Sequence, residues 1–162
     1  MIDRHGKCFV MAAAVLALVA VSAETALAKK NKVIATVNGK RIKWKGRYVV
    51  VSISGNGTQI IATKPARPGG TVRTVGFGCA IDPRNETTFP LTPPPEVCVA
   101  TYTETKVSVG AQTNAWFAPN GANVTYDFDG TRLTGTFSVT LDPLGGSLPA
   151  VTIEGTFNTA LE

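Results

Sequence analysis

An all-β chain, folded as an antiparallel β-sandwich behind an N-terminal secretory leader, is what this sequence predicts. Three observations carry the prediction. The stretch from Thr131 to Thr159 alternates apolar and polar side chains with a period of two, which is the signature of half-buried strands. Turn signals recur about every 8–12 residues, enough for roughly nine or ten strands. No helical periodicity follows the leader. Two packed layers, Ig-like or jelly-roll-like, fit this pattern; closure into a barrel is the alternative.

The leader comes first in the chain. Arg4 and Lys7 precede an apolar run from Phe9 to Ala23, and Ala26-Leu27-Ala28 offers small residues for cleavage. Residues 1–28 therefore read as a secretory signal peptide and 29–162 as a single β-sandwich domain. The run is shorter than the ~20 apolar residues that span a bilayer, so membrane contact is expected only through an uncleaved leader. Cys8 opens the run instead of following a lipid-attachment site. The expected location is secreted or periplasmic, at the cell envelope. There Cys79 and Cys98 are expected to form a disulfide, with a free buried pair as the alternative.

Lys29 to Lys32 reads as a basic tail, and Val33 to Val37 as the first strand. Asn38-Gly39 predicts a type I′ hairpin turn, because both residues accept positive φ. In the returning strand, Ile42 and Trp44 face one side and Arg41, Lys43 and Lys45 the other. Tyr48 to Ile53 is nearly continuous in β-branched residues and reads as a central strand covered on both faces. The Ser54–Gly57 turn leads to a strand from Thr58 to Thr63. Thr71 to Ile81 is next, with Val75, Phe77, Cys79 and Ile81 on one face. Asp82 to Glu96 holds five prolines, so it reads as a loop that cannot enter a sheet interior, stapled at its feet by the disulfide. Strands follow at Val97–Thr103, around Trp116 and at Val124–Phe128. Asp129-Gly130 then turns into the C-terminal pair, where Gly-Thr-Phe occurs twice, at Gly135 and Gly155.

Charge is unevenly placed. From Lys29 to Ile81 there are eleven basic residues and no acidic ones; from Asp82 onward there are three basic and nine acidic. The simplest consequence is internal, with strands of the two halves interleaving. The sharper reading concerns Arg41, Lys43, Lys45 and Arg47. In one continuous strand they stand about 6.6–6.8 Å apart on one face, a spacing that suits the repeat of an anionic polymer. Pairing with acids such as Asp127, Asp129 or Glu154 is the competing reading. Trp44 and Trp116, with Tyr102, Phe117 and Tyr126, are candidates for a sugar-stacking platform or for core packing.

Catalytic chemistry finds little purchase. Beyond the leader there is no histidine, so nucleophile–base pairs and zinc sites lack a partner. Glu104, Asp127, Asp129 and Glu154 could serve a carboxylate-only glycoside hydrolase, but no spacing singles out a pair. Asp127-Phe128-Asp129-Gly130 opens like a calcium loop and lacks the later oxygen ligands. No catalytic residue, metal or cofactor is assigned.

Val37-Asn38-Gly39-Lys40 followed by Trp44, together with Leu133–Val139 and Ile153–Phe157, resembles a bacterial family of uncharacterised extracytoplasmic β-sandwich domains, many of them lipoproteins. The resemblance covers both ends of the chain past the leader. It implies export and a sandwich fold and brings no catalytic residues with it. The chain departs from the family pattern in lacking a lipidated cysteine and in having its own cysteine pair. The expectation is an exported, non-enzymatic binding or structural module. Its candidate partners are an anionic glycan, lipopolysaccharide or another envelope protein; nucleic acid is not expected.

Overall fold

Each alternating run becomes a strand with its apolar set turned inward. The structure, a computed structural model, describes residues 30–108, 111–145 and 148–161; the leader lies outside them. Ten strands follow in order: β1 (Lys32–Val37), β2 (Lys40–Lys45), β3 (Val49–Ser54), β4 (Gly57–Lys64), β5 (Thr71–Cys79), β6 (Cys98–Lys106), β7 (Gln112–Ala118), β8 (Asn123–Phe128), β9 (Arg132–Pro143) and β10 (Val151–Ala160). All pair antiparallel. One layer runs β2-β1-β10-β9-β8 and the other β3-β4-β5-β6-β7. The far end of β9 crosses between layers, where Asp142 and Pro143 pair with Phe117 and Trp116 of β7. β2 and β3 end the path without pairing each other. The result is a flattened, nearly closed barrel, between the two architectures the sequence allows.

The first hairpin turns as its residues require: Asn38 has φ of 46° and Gly39 of 78°, both in the region a type I′ turn needs. The repeated Gly-Thr-Phe also acquires a reason. In the β9–β10 register Gly135 faces Phe157, and Phe137 faces Gly155. The Phe157 ring covers the bare backbone at Gly135, while Gly155 leaves room for the β1 backbone at Ile34 and Ala35; such aromatic–glycine pairs favour one register. A Cβ at Gly135 would lie 1.8 Å from the carbonyl oxygen of Thr125, so no other residue fits there. Phe77 of the opposite layer stacks on Phe137 at 4.1 Å between centroids, and Phe157 lies 5.4 Å from Phe77. These rings join the two layers at the centre of the core.

Cys79 and Cys98 form the disulfide, facing each other across β5 and β6 at the feet of the proline-rich loop. The loop has further anchors that its sequence did not announce. Leu91 exchanges two backbone hydrogen bonds of 2.8 Å with Tyr126 of β8, and Gly121 N–H donates to the Pro95 carbonyl at 2.9 Å. The bidentate Arg84–Asp82 pair braces its start.

Two expectations need correction. The apolar segment Val49–Ser54 is an end strand, not a central one: it pairs β4 alone. A continuous β-branched run says that a strand forms but not how many neighbours it has. Lys32 belongs to β1, where it pairs with Lys45 and Asn158, and is no frayed tail.

Candidate binding face

The register of the first layer brings its outward side chains into rows across five strands. One row runs Arg41–Thr36–Glu154–Ser138–Asn123. The next runs Lys43–Ile34–Thr156–Thr136–Thr125, and the third Lys45–Lys32–Asn158–Thr134–Asp127. Neighbours within a row are about 4.7–4.9 Å apart and successive rows about 6.6–6.8 Å. The face is thus a two-dimensional array of hydroxyl, amide and charged groups. Ile34 is the one apolar member of these rows. A shallow groove of about 510 Å³ crosses it, lined among others by Arg41, Thr36, Glu154, Ser138 and Asn123.

The cations gather along one side. Arg41, Lys43 and Lys45 project outward from β2 and are exposed, and Lys32 joins them from β1. Among the described residues the ion pairs are Arg73–Glu104 and Arg84–Asp82, so none of these four cations is paired with a carboxylate. That overturns pairing with Asp127, Asp129 or Glu154. Register is the reason: Thr36 stands between Arg41 and Glu154, which places them two strands apart. The Lys45 ammonium, then slight burial, then Lys32 and Arg41, hold Lys43 below the usual lysine value. Like charge held together without compensation is the electrostatic mark of this edge.

Arg47 leaves the series. β2 stops at Lys45, and Gly46–Tyr48 form a single 3-10 turn that Gly46 enters with φ of 63°. Arg47 instead lies over the Tyr48 ring, 5.2 Å from its centroid, and donates to the Tyr48 hydroxyl at 3.2 Å. Lys32 takes the place it was expected to fill. The signal for Lys32 lies in the Asn38-Gly39 turn, whose two-residue loop sets Lys32 opposite Lys45.

Trp44 and Trp116 are not a platform. They are 1% and 6% exposed, and both indoles are occupied inside. Trp44 Nε1–H donates to the Arg73 carbonyl at 3.0 Å, and Trp116 Nε1–H to the Pro149 carbonyl at 3.0 Å. The strand pleat turns both inward, Trp44 between the outward Lys43 and Lys45 and Trp116 between the half-buried Ala115 and Phe117. Tyr102 packs beside Trp116, with ring centroids 5.6 Å apart.

The carboxylates do not converge. Glu104 points to the inner side, where Arg73 Nε–H at 2.8 Å and Tyr102 O–H at 2.7 Å both donate to its Oε1. Burial alone would raise its pKa, but those two bonds and the Arg73 charge hold it below the usual carboxylate value. Asp129 Oδ1 accepts from the Thr131 amide and hydroxyl and from the Arg132 amide, closing its own turn. Those bonds hold the Asp129 pKa down. Glu154 and Asp127 share the outer face but sit two rows apart, about 13 Å along the strands alone. A glycosidase pair needs ~5–9.5 Å.

No protein-family model, curated protein or solved structure matches the chain.

Proposed function

We propose that this chain is an exported, non-enzymatic binding module of the cell envelope, and that the β1–β2 side of its first layer takes an anionic glycan. The observation that carries the reading is the set of four cations, Lys32, Arg41, Lys43 and Lys45, in register on one exposed face without a carboxylate partner among the described residues. Polyanions are drawn to such a patch by counterion release and long-range attraction. The hydroxyl and amide rows beside it suit a ligand that itself carries hydroxyl groups, as a polysaccharide does. Two features support export: the leader read in the sequence, and a disulfide, a bond that persists in oxidising compartments.

A lysine-rich end strand has a second use. Charge on an exposed edge discourages pairing with foreign strands. The two roles separate in one experiment. The purified chain is loaded on a heparin column and eluted with salt, beside a variant with Lys32, Arg41, Lys43 and Lys45 changed to Ser. The proposal expects salt-sensitive retention that the variant loses while staying monodisperse. Absent or salt-insensitive retention of the parent chain rejects it. A variant that self-associates, from a parent that never bound, assigns the cations to edge protection instead.

A further inference from the structure

The other end of the strand path has the opposite character. β3 reads VVVSIS: four residues of high β-propensity, two serines, and no charge, proline or glycine. Native sheets blunt an exposed end strand with charge, proline or a bulge, and β3 has none of these. Val50 is 56% exposed, and its cross-strand partner Ile61 is 38% exposed.

The backbone of β3 defines what can dock. Val49 N–H donates to the Gly46 carbonyl, and the Val49 carbonyl accepts from Asn31 Nδ2 at 3.4 Å. Both groups therefore point away from β4. Alternate residues of an antiparallel strand address opposite neighbours, so the N–H and C=O of Val51 and Ile53 point the same way. Among the described residues, no backbone hydrogen bond outside the β3–β4 pairing reaches Val50 through Ser54. Two donors and two acceptors stand open in a row. Beside them a recess of about 180 Å³ is lined by Val51, Ile53, Phe128 and Leu161, with Arg84 and Gly130 at its polar side.

We propose that a second copy of this chain fills that row, β3 pairing antiparallel with β3 about a two-fold axis at Ser52. The register follows from which groups are already in use. With Val49 occupied inside its own chain, Val51 meets Ile53 of the second copy, and Ile53 meets its Val51. Four backbone hydrogen bonds result. Ser52 faces its own counterpart, with Cα atoms about 4.5 Å apart as in a non-hydrogen-bonded pair. Val50 faces Ser54 of the second copy. No charged side chain of β3 meets another across the axis, and the second copy's Val51 and Ile53 come to lie over the apolar side of the recess, away from Arg84. The open row, Val51 and Ile53 about Ser52, is its own complement under a two-fold axis, so two copies satisfy each other's donors and acceptors, as an isologous contact requires.

Sedimentation velocity and cysteine crosslinking of the purified chain test this. The parent chain is expected to dimerise, and to hold together in high salt because two copies of net charge +5 repel. Ser52→Lys sets like charges face to face at an exposed position, so the dimer weakens by roughly tenfold or more with the melting temperature of the monomer unchanged. Ser52→Cys forms a disulfide-linked dimer on oxidation; Ser54→Cys, away from the axis, does not. A parent chain that stays monomeric at high micromolar concentration overturns the proposal. So does a dimer indifferent to Ser52→Lys, one that dissolves in salt as association of oppositely charged halves would, or equal crosslinking at both serines.

Discussion

β2 and β3 are each six residues long and sit at opposite ends of one strand path. Both turn alternate side chains inward: Ile42 and Trp44 from β2, Val49, Val51 and Ile53 from β3. Their outward sets have nothing in common. β2 shows Arg41, Lys43 and Lys45 to solvent, whereas β3 shows Val50, Ser52 and Ser54. The core constrains only the inward half of a strand, and the outward half is left for selection by partners. On β2 that half carries the cations to which we assign polyanion binding. On β3 it carries no charge at all.

The comparison breaks first if the two halves of β2 are not separable in energy. Trp44→Ala removes a buried indole and its hydrogen bond to Arg73, and is expected to cost about 3–5 kcal/mol in denaturant unfolding. Lys43→Ser, one residue away and outward, is expected to stay within about 0.5 kcal/mol of the parent. Equal costs would mean that the outward cations help to hold the fold.

Next in size is the frame between the two ends. The disulfide joins residues 19 apart in sequence, and replacing both cysteines with Ala is expected to cost roughly 3 kcal/mol through loop-closure entropy. Retention on heparin below the melting transition should be unchanged, since Cys79 and Cys98 belong to the layer opposite β2. Loss of binding in the folded variant would tie the face to that layer.

Inward and outward charge should also differ in their response to acid. Glu104 is bonded by Tyr102 and Arg73, and its pKa in the folded chain lies below its unfolded value. The stability it contributes is therefore present above the unfolded carboxylate pKa and is lost as pH falls through the folded one. Melting temperature should drop across that acidic window, and Glu104→Gln should flatten this part of the profile. The outward lysines should leave no mark there. A parent and variant with superimposable acid profiles would remove Glu104 from the account.

The finest test separates spacing from register. Lys32→Ser should lower the salt needed to elute the chain from heparin, and Arg47→Ser should lower it less. The opposite order would restore Arg47 to the patch and dismiss Lys32.

Much of this architecture can be read from residues alone, and the reason is the pleat. Leu133, Phe137, Val139 and Leu141 must share a face if β9 is a strand, and the Asn38-Gly39 turn leaves β1 and β2 one way to pair. What a single strand cannot disclose is its neighbour. The Asn38-Gly39 turn also sets Lys32 beside Lys45, but nothing in Thr36 says that it separates Arg41 from Glu154. That fact lives in the register of β1 against β10, two strands far apart in the chain. For the same reason VVVSIS reads as a central strand until its one neighbour is known. Trp44 and Trp116 were ambiguous because an aromatic residue suits a core and a sugar platform equally; burial decides.

The claim on which the binding account rests is that four cations act together on one ligand. It is tested most directly by the affinity of the chain for an immobilised heparin-type glycan, measured across a series of salt concentrations. Four counterion-releasing contacts on a flexible polyanion predict a log–log slope of roughly −3, collapsing toward zero when Lys32, Arg41, Lys43 and Lys45 become Ser. A slope that survives those four substitutions, or a parent chain that does not bind at low salt, would contradict it.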